Sequence, residues 1–183
     1  MNFDLLVNKD NKLPFTYIPS DLVIVYSKYD FIRDQKLSLY AYKEFIKLQE
    51  KLRKDGLNIC ITSGYRNALK QMKIYNYYYM TIGAEMAKKR VALPGRSEHQ
   101  TGLAVDLCVI ENDIKRDITM EESNYLKDNA YKYGFILRYP KGSEHITSFN
   151  YEPWHFRYVG DISEFIYEND ITLEEYHEKI LKK

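Results

Sequence analysis

A chain of 183 residues, 45% hydrophobic and 29% charged, is long enough for one hydrophobic core and too apolar for intrinsic disorder. Its formal charge is +1, with Lys and Arg scattered along the whole length, which excludes the concentrated basic face of a nucleic-acid binder. No apolar run approaches the roughly 20 residues of a spanning helix. A secretory signal is also missing from the opening Met1-Asn2-Phe3-Asp4-Leu5-Leu6-Val7, so a cytoplasmic protein is expected if Met1 is the natural start.

Residues 1–34 hold turn signals such as Lys12-Leu13-Pro14 and Ile18-Pro19-Ser20-Asp21, and are expected to wrap the core as an extended segment. Residues 35–183 form the core proper of one domain. A first helix is predicted from Ser38 to Asp55, with Ala41, Phe45, Leu48 and Leu52 on one stripe and Gly56 as the stop. Leu57-Asn58-Ile59-Cys60-Ile61-Thr62 reads as a strand. The turn Ser63-Gly64-Tyr65-Arg66 then leads to a helix capped by Asn67, with Leu69, Met72, Tyr75 and Tyr79 on one side. A polar stretch containing Pro94-Gly95 precedes the loop 97–102. Residues 103–110 are apolar almost throughout, as in a central strand buried on both faces.

Thr119-Met120-Glu121-Glu122 is a capping box opening a third helix that stops at Tyr133-Gly134. Phe135-Ile136-Leu137-Arg138 and Trp154-His155-Phe156-Arg157-Tyr158 read as further strands, and two short helices close the chain, the last capped at Thr172. Helices and strands mix without regular βαβ alternation. The predicted class is therefore α+β, a central antiparallel sheet flanked by helices. Cys60 and Cys108 both lie in apolar runs and are read as buried thiols.

Asp106 is the first chemical anomaly. It sits in Leu103-Ala104-Val105-Asp106-Leu107-Cys108-Val109-Ile110, with no Lys or Arg in the run. An ionised carboxylate there is costly unless compensated. A salt bridge from afar, a protonated acid, an exposing bulge or a metal would each account for it. His99 lies on the loop feeding this strand, and Gly102 lets the backbone turn between them. In Glu152-Pro153-Trp154-His155, residues three apart would face opposite ways on a regular strand. A bend at Pro153 would let Glu152 and His155 address one site, with Trp154 and Phe156 facing the core. Two His and one Asp leave a fourth position open, the pattern of a catalytic rather than a structural zinc site. No His-Glu-x-x-His helix is present.

Arg66, at a strand-to-helix turn, offers a bidentate fork for a carboxylate or oxyanion, although a surface ion pair would place it there equally well. Ser97 could bond substrate or merely cap the loop. His145 and His177 are assigned no role, His177 being expected to be solvated among glutamates. The run Tyr75, Tyr77, Tyr78, Tyr79 is read as packing rather than a ligand cage.

Ser97-Glu98-His99-Gln100-Thr101-Gly102-Leu103-Ala104-Val105-Asp106 resembles the Ser-x-His-x-x-Gly-x-Ala-x-Asp signature of the D-alanyl-D-alanine carboxypeptidases of the VanY type. Glu152-Pro153-Trp154-His155-Phe156-Arg157-Tyr158-Val159-Gly160 resembles that family's second signature, and Ser63-Gly64-Tyr65-Arg66 and Gly134-Phe135-Ile136-Leu137-Arg138-Tyr139-Pro140 two further blocks. The resemblance implies Zn²⁺ held by His99, Asp106 and His155, Glu152 as general base and acid, and Arg66 and Ser97 on the terminal D-residue. It also implies an antiparallel α+β fold. The length and Val91-Ala92-Leu93-Pro94-Gly95 are similar to the bifunctional VanXY type of vancomycin-resistance clusters. That likeness implies hydrolysis of D-Ala-D-Ala as well as removal of D-Ala from the muramyl-pentapeptide precursor. Ser148 departs from the family, which often has Gly after the residue matching Thr147, so the loop from Lys141 is expected to differ in shape. An L,D-carboxypeptidase or wall-peptide endopeptidase would share the zinc site. A non-catalytic zinc module that binds peptides is the reading of another class, against which the base Glu152 speaks.

Overall fold

The computed structural model describes residues 2–26 and 35–181. Its first elements, β1 (Leu22–Ile24) and β2 (Lys36–Ser38), form a small antiparallel pair. From Ser38 the chain enters α1 (Leu39–Lys54), whose buried residues Ala41, Phe45, Leu48 and Leu52 recur at helical spacing. The strand β3 (Ile59–Ser63) is followed by α2 (Ala68–Ile82), capped by the Asn67 side chain, which accepts a bond from the Lys70 N–H. A third helix, α3 (Ala84–Arg90), follows at once. A 3₁₀ turn, Glu98–Thr101, then feeds β4 (Ala104–Glu111), which folds back through Asn112 and Asp113 into β5 (Ile114–Arg116).

The reciprocal capping box of Thr119 and Glu122 opens α4 (Met120–Ala130). A turn at Tyr131–Tyr133 precedes β6 (Phe135–Leu137), α5 (Glu144–Thr147) and β7 (His155–Tyr158). Last come α6 (Ile162–Glu168) and α7 (Leu173–Tyr176), the latter with its own capping box from Thr172 and Glu175. Among the described residues no helix is long and apolar enough to cross a membrane.

The sheet runs β3-β4-β7-β6, with β5 also paired to β4, and every pairing is antiparallel. This is the α+β architecture predicted from the sequence. Side-chain alternation along β4 decides what each face does. Val105, Leu107 and Val109 join Phe45, Leu48 and Leu52 of α1 and Leu126 of α4 in the main core. Asp106, Cys108 and Ile110 point to the other face. Cys108 lies directly opposite Cys60 of β3 there, both buried and not disulfide-bonded, as expected.

Three details differ from expectation. The stripe on α2 faces outward: Leu69, Met72 and Tyr79 are exposed, and the helix is seated instead through Ala68 and Gln71, whose amide donates to the Ala92 carbonyl. Residues 84–90, read as part of a polar stretch, are helical. Of the N-terminal segment, residues 27–34 lie outside the described residues. The described part runs against the rest of the chain: the Leu13 N–H bonds the Gly95 carbonyl, and Arg157 Nη2 bonds the carbonyls of Phe3 and Leu5.

Candidate active site

The second face of the sheet gathers the polar residues. In the β4–β7 register Asp106 pairs with His155, so the two side chains are cross-strand neighbours on one face. Pairing of β3 with β4 shifts between Ile61 and Ser63, where Asp106 meets Ser63. That irregularity falls at Asp106, the one carboxylate inside the apolar run of β4. His99 arrives from the 3₁₀ turn, which stops at Gly102 with φ +70°. A Cβ there would sit 2.8 Å from the Leu22 side chain, and the Gly102 carbonyl accepts the Ser38 N–H at 2.8 Å. Glycine is required by both conformation and space.

One ligand atom from each of His99, Asp106 and His155 lies within 4.8 Å of the others. His99 Nδ1 is 2.7 Å from the Gly64 carbonyl, so this nitrogen carries the proton and Nε2 keeps its lone pair. That Nε2 is 3.2 Å from Asp106 Oδ2, yet it is buried without a hydrogen bond. His155 mirrors the arrangement: Nε2 faces Glu98 Oε2 at 3.3 Å, and Nδ1 faces Asp106 Oδ1 at 3.0 Å. Two imidazole nitrogens and a carboxylate oxygen, one of them a buried orphan, fit a zinc-like cation with an open coordination position. Burial opposes charge on His155, but its bonds to Asp106 and Glu98 outweigh this and raise it to about 9. A cation in the site would answer the same attraction.

Glu152 is brought beside them by the turn that the sequence required. The His155 N–H bonds the Glu152 carbonyl at 3.1 Å, and Glu152 Oε2 lies 3.7 Å from His155 Nδ1. Burial pushes the Glu152 carboxyl up to about 7, against the pull of His155. A group poised there exchanges protons readily near neutral pH. The turn also corrects one expectation: Phe156 enters the core, but Trp154, outside the regular strand, is 41% exposed at the rim of the site.

Arg66 and Ser97 complete the same cavity, of about 190 Å³, which all six singled-out residues line. Arg66 is fixed through its N–H to the His99 carbonyl at 3.1 Å, and its Nε is buried with no partner among the described residues. It is therefore not the surface ion pair that was its alternative. The turn it occupies needs Gly64, where a Cβ would meet the Lys36 carbonyl at 2.5 Å. His145 is exposed on α5, apart from the cavity. His177 is not solvated as expected: it is half-buried and bonded through Nε2 to the Asp4 carbonyl. Of the tyrosine run only Tyr78 borders the cavity.

The fold and these motifs fit one known group. Residues 34–161 match the family model VanY, D-alanyl-D-alanine carboxypeptidase. The chain belongs to the VanY family. Its VanY-family relatives include the bifunctional D-Ala-D-Ala dipeptidase and D-Ala-D-Ala carboxypeptidase VanXYC of Enterococcus gallinarum, 37% identical over 188 residues, covering 97% of this chain and 95% of the relative. Among solved structures, the LdcB LD-carboxypeptidase superposes with a TM-score of 0.86 at 41% identity, over 96% of this chain and 85% of that one. The vancomycin-resistance D,D-pentapeptidase VanY from a VanB-type cassette, solved in complex with Zn(II), gives 0.82 at 33% identity, over 96% and 99%. As a VanY-family protein the chain is a peptidase of the carboxypeptidase and dipeptidase kind.

One member of this VanY-family site was missed in the sequence. Glu98 is wholly buried: Oε1 accepts from Arg138 Nε at 2.7 Å and Arg157 Nη1 at 2.9 Å, while Oε2 faces His155. Arg138 extends the network with a two-pronged bond to Glu174 at 2.7 and 2.6 Å. Burial opposes the Glu98 charge, but the two arginines hold its carboxyl far below the usual range. The signal was present. Two arginines in apolar strand runs, Arg138 just after β6 and Arg157 within β7, each demand a buried acid.

Proposed function

We propose that the chain is a zinc D,D-carboxypeptidase that removes the terminal D-Ala from peptidoglycan-precursor pentapeptide and also hydrolyses D-Ala-D-Ala. The observation that carries the reading is the convergence of His99, Asp106 and His155 within 4.8 Å, beside a carboxylate, Glu152, pushed by burial up to about 7. Relatives add support: VanXYC is named for both activities, and the VanY structure carries Zn(II).

In this reading His99, Asp106 and His155 hold the ion. Bound zinc supplies a Lewis acid that lowers the pKa of water toward neutrality. Glu152 takes the proton of the attacking water and passes it to the leaving amine, a role suited to a group titrating near 7. Arg66, with its unpartnered buried Nε, faces the negative charge that develops on the scissile carbonyl. Arg66 and Ser97 orient the terminal D-residue. Glu98 holds the His155 ring through Nε2, keeping Nδ1 directed at the site.

A second reading, L,D-cleavage of the tetrapeptide, is favoured by the likeness to the LdcB LD-carboxypeptidase. Incubating zinc-loaded protein with D-Ala-D-Ala, UDP-muramyl-pentapeptide and UDP-muramyl-tetrapeptide and measuring released alanine separates the two. Cleavage of the first two supports the proposal; release from the tetrapeptide alone moves it to L,D. Glu152→Ala is expected to lower the rate at least about 100-fold while the metal stays bound. An unchanged rate would reject Glu152 as the base.

A further inference from the structure

Beside the catalytic cavity lies a second one, of about 350 Å³, whose rim is basic. Lys9, Lys88, Lys89 and Arg96 surround it, over an apolar floor that includes Ala92 and Leu93. The single acid at its edge, Glu85, is paired with Lys88 at 3.3 Å in a largely exposed bridge. Among the described residues Lys9, Lys89 and Arg96 have no ion-pair partner, and Arg96 Nη1 is buried without any hydrogen bond. A guanidinium nitrogen withdrawn from water and left unpaired costs free energy unless something occupies it.

These cations come from distant parts of the chain, and local bonds fix the backbone that carries Lys9 and Arg96. Lys9 belongs to a turn in which Asn8 Oδ1 accepts the N–H groups of Asp10 and Asn11, both at 3.0 Å. Asn8 Nδ2 in turn donates to Glu174, which is locked to Arg138. Arg96 is tied through its N–H to the Leu93 carbonyl at 2.9 Å, next to the Leu13–Gly95 bond that docks the N-terminal segment. Lys88 and Lys89 ride on α3. Val91, Ala92 and Phe149 line both this cavity and the catalytic one, so the two are neighbours that share a wall.

We propose that the basic cavity is a subsite for an anionic group, carboxylate or phosphate, carried by the substrate on the acyl side of the cleaved bond. This rests on the peptidase reading above. D-Ala-D-Ala has nothing on the acyl side beyond the one residue whose bond is cut, and so carries no anionic group there. A peptidyl precursor continues past the scissile bond, and its acidic groups find in Arg96 a forked donor and in the lysines a favourable field. The cavity therefore favours long acidic substrates over the dipeptide through binding rather than through chemistry.

The test uses the full-length, metal-loaded protein and three substrates: D-Ala-D-Ala, diacetyl-Lys-D-Ala-D-Ala with an uncharged acyl side, and UDP-muramyl-pentapeptide. In the double variant Arg96→Gln/Lys89→Gln, KM for the anionic precursor should rise about tenfold, as for loss of a charge-assisted contact, with kcat unchanged and the two substrates that carry no acyl-side anion unaffected. Lys9→Gln, from another segment, should move KM for the precursor in the same direction. Equal changes on all three substrates, or none, overturn the proposal. Titration calorimetry with inorganic phosphate gives an arm independent of hydrolysis. Binding weaker in the double variant supports an anion site even if no peptide is cut, a result that would sink only the peptidase reading. Equal binding in the two proteins, or none, overturns the subsite; phosphate held at the metal would be common to both.

Discussion

At the scale of single residues, the site is built from groups that would be costly anywhere else. Glu98, Arg138 and Arg157 are all excluded from water, and their charges are tolerable only together. Glu98→Gln leaves the buried Arg157 with no carboxylate partner and Arg138 with Glu174 alone, and is expected to destabilise the protein by about 3 kcal/mol, read as a lower urea midpoint with an unchanged slope. Ser148 makes the opposite case. It sits at φ +65°, the left-handed conformation that glycine takes at little cost, at the C-terminal end of α5. The family's usual glycine thus has its conformation here without its residue, and the serine bears the strain. Ser148→Gly should raise stability by about 0.5–1 kcal/mol, visible as an increased Tm; a lower Tm would show that the serine is preferred for another reason.

Legibility at this scale depended on context. Asp106 stood out because a lone acid in an apolar strand must be explained, and the explanation is the pair of imidazoles beside it. Glu98 stayed hidden because it lies in a short polar loop where acids are unremarkable. Its burial follows from partners 40 and 59 residues away in sequence. Trp154 was misplaced because strand alternation was extended one residue into the turn that bends Glu152 toward His155.

At the scale of elements, capping chemistry read more clearly than periodicity. Asn67, Thr119 and Thr172 all cap the helices that the sequence assigned to them. The outward stripe on α2 misled because that helix is seated by a small residue and an amide, Ala68 and Gln71, which no apolar pattern reveals. α3 escaped notice because it is short, mostly charged and buries only Ala87. The hairpin of β4 and β5 turns on Asn112 and Asp113, both with positive φ, a turn pair suited to tight hairpins.

The α4 cap also sets a pH dependence. Arg116 makes a two-pronged bond to Glu122 at 2.8 and 2.6 Å, and this holds the Glu122 carboxyl down to about 2. An unfolded glutamate titrates near about 4.3. The stabilisation is therefore complete above that pH and is lost as pH falls toward the folded value. Screening of this partly exposed pair limits it to on the order of 1 kcal/mol. Glu122→Gln keeps the capping geometry and should lower Tm at pH 6, with the gap to the wild type closing as pH approaches the folded value. A gap that persists in acid would assign the effect to the cap instead.

At the scale of the whole molecule, one sheet separates two tasks. The face of β4 carrying Val105, Leu107 and Val109 supplies the core with α1 and α4, while the face carrying Asp106 takes His155 from β7 and His99 from the preceding turn. The N-terminal segment closes over this arrangement through Phe3, Leu5 and Leu13. Antiparallel register is what makes a site from residues that lie far apart in the chain, and sequence spacing alone could suggest the ligand set but not the face on which it would assemble.

The most direct test of that assembly is the zinc content of the purified protein after dialysis, measured beside Asp106→Ala with circular dichroism to show that the variant is folded. One zinc per wild-type chain and none in folded Asp106→Ala is the expected result. A wild-type protein that takes up no divalent cation, or a variant that holds as much zinc as the wild type, would contradict a metal centre at His99, Asp106 and His155.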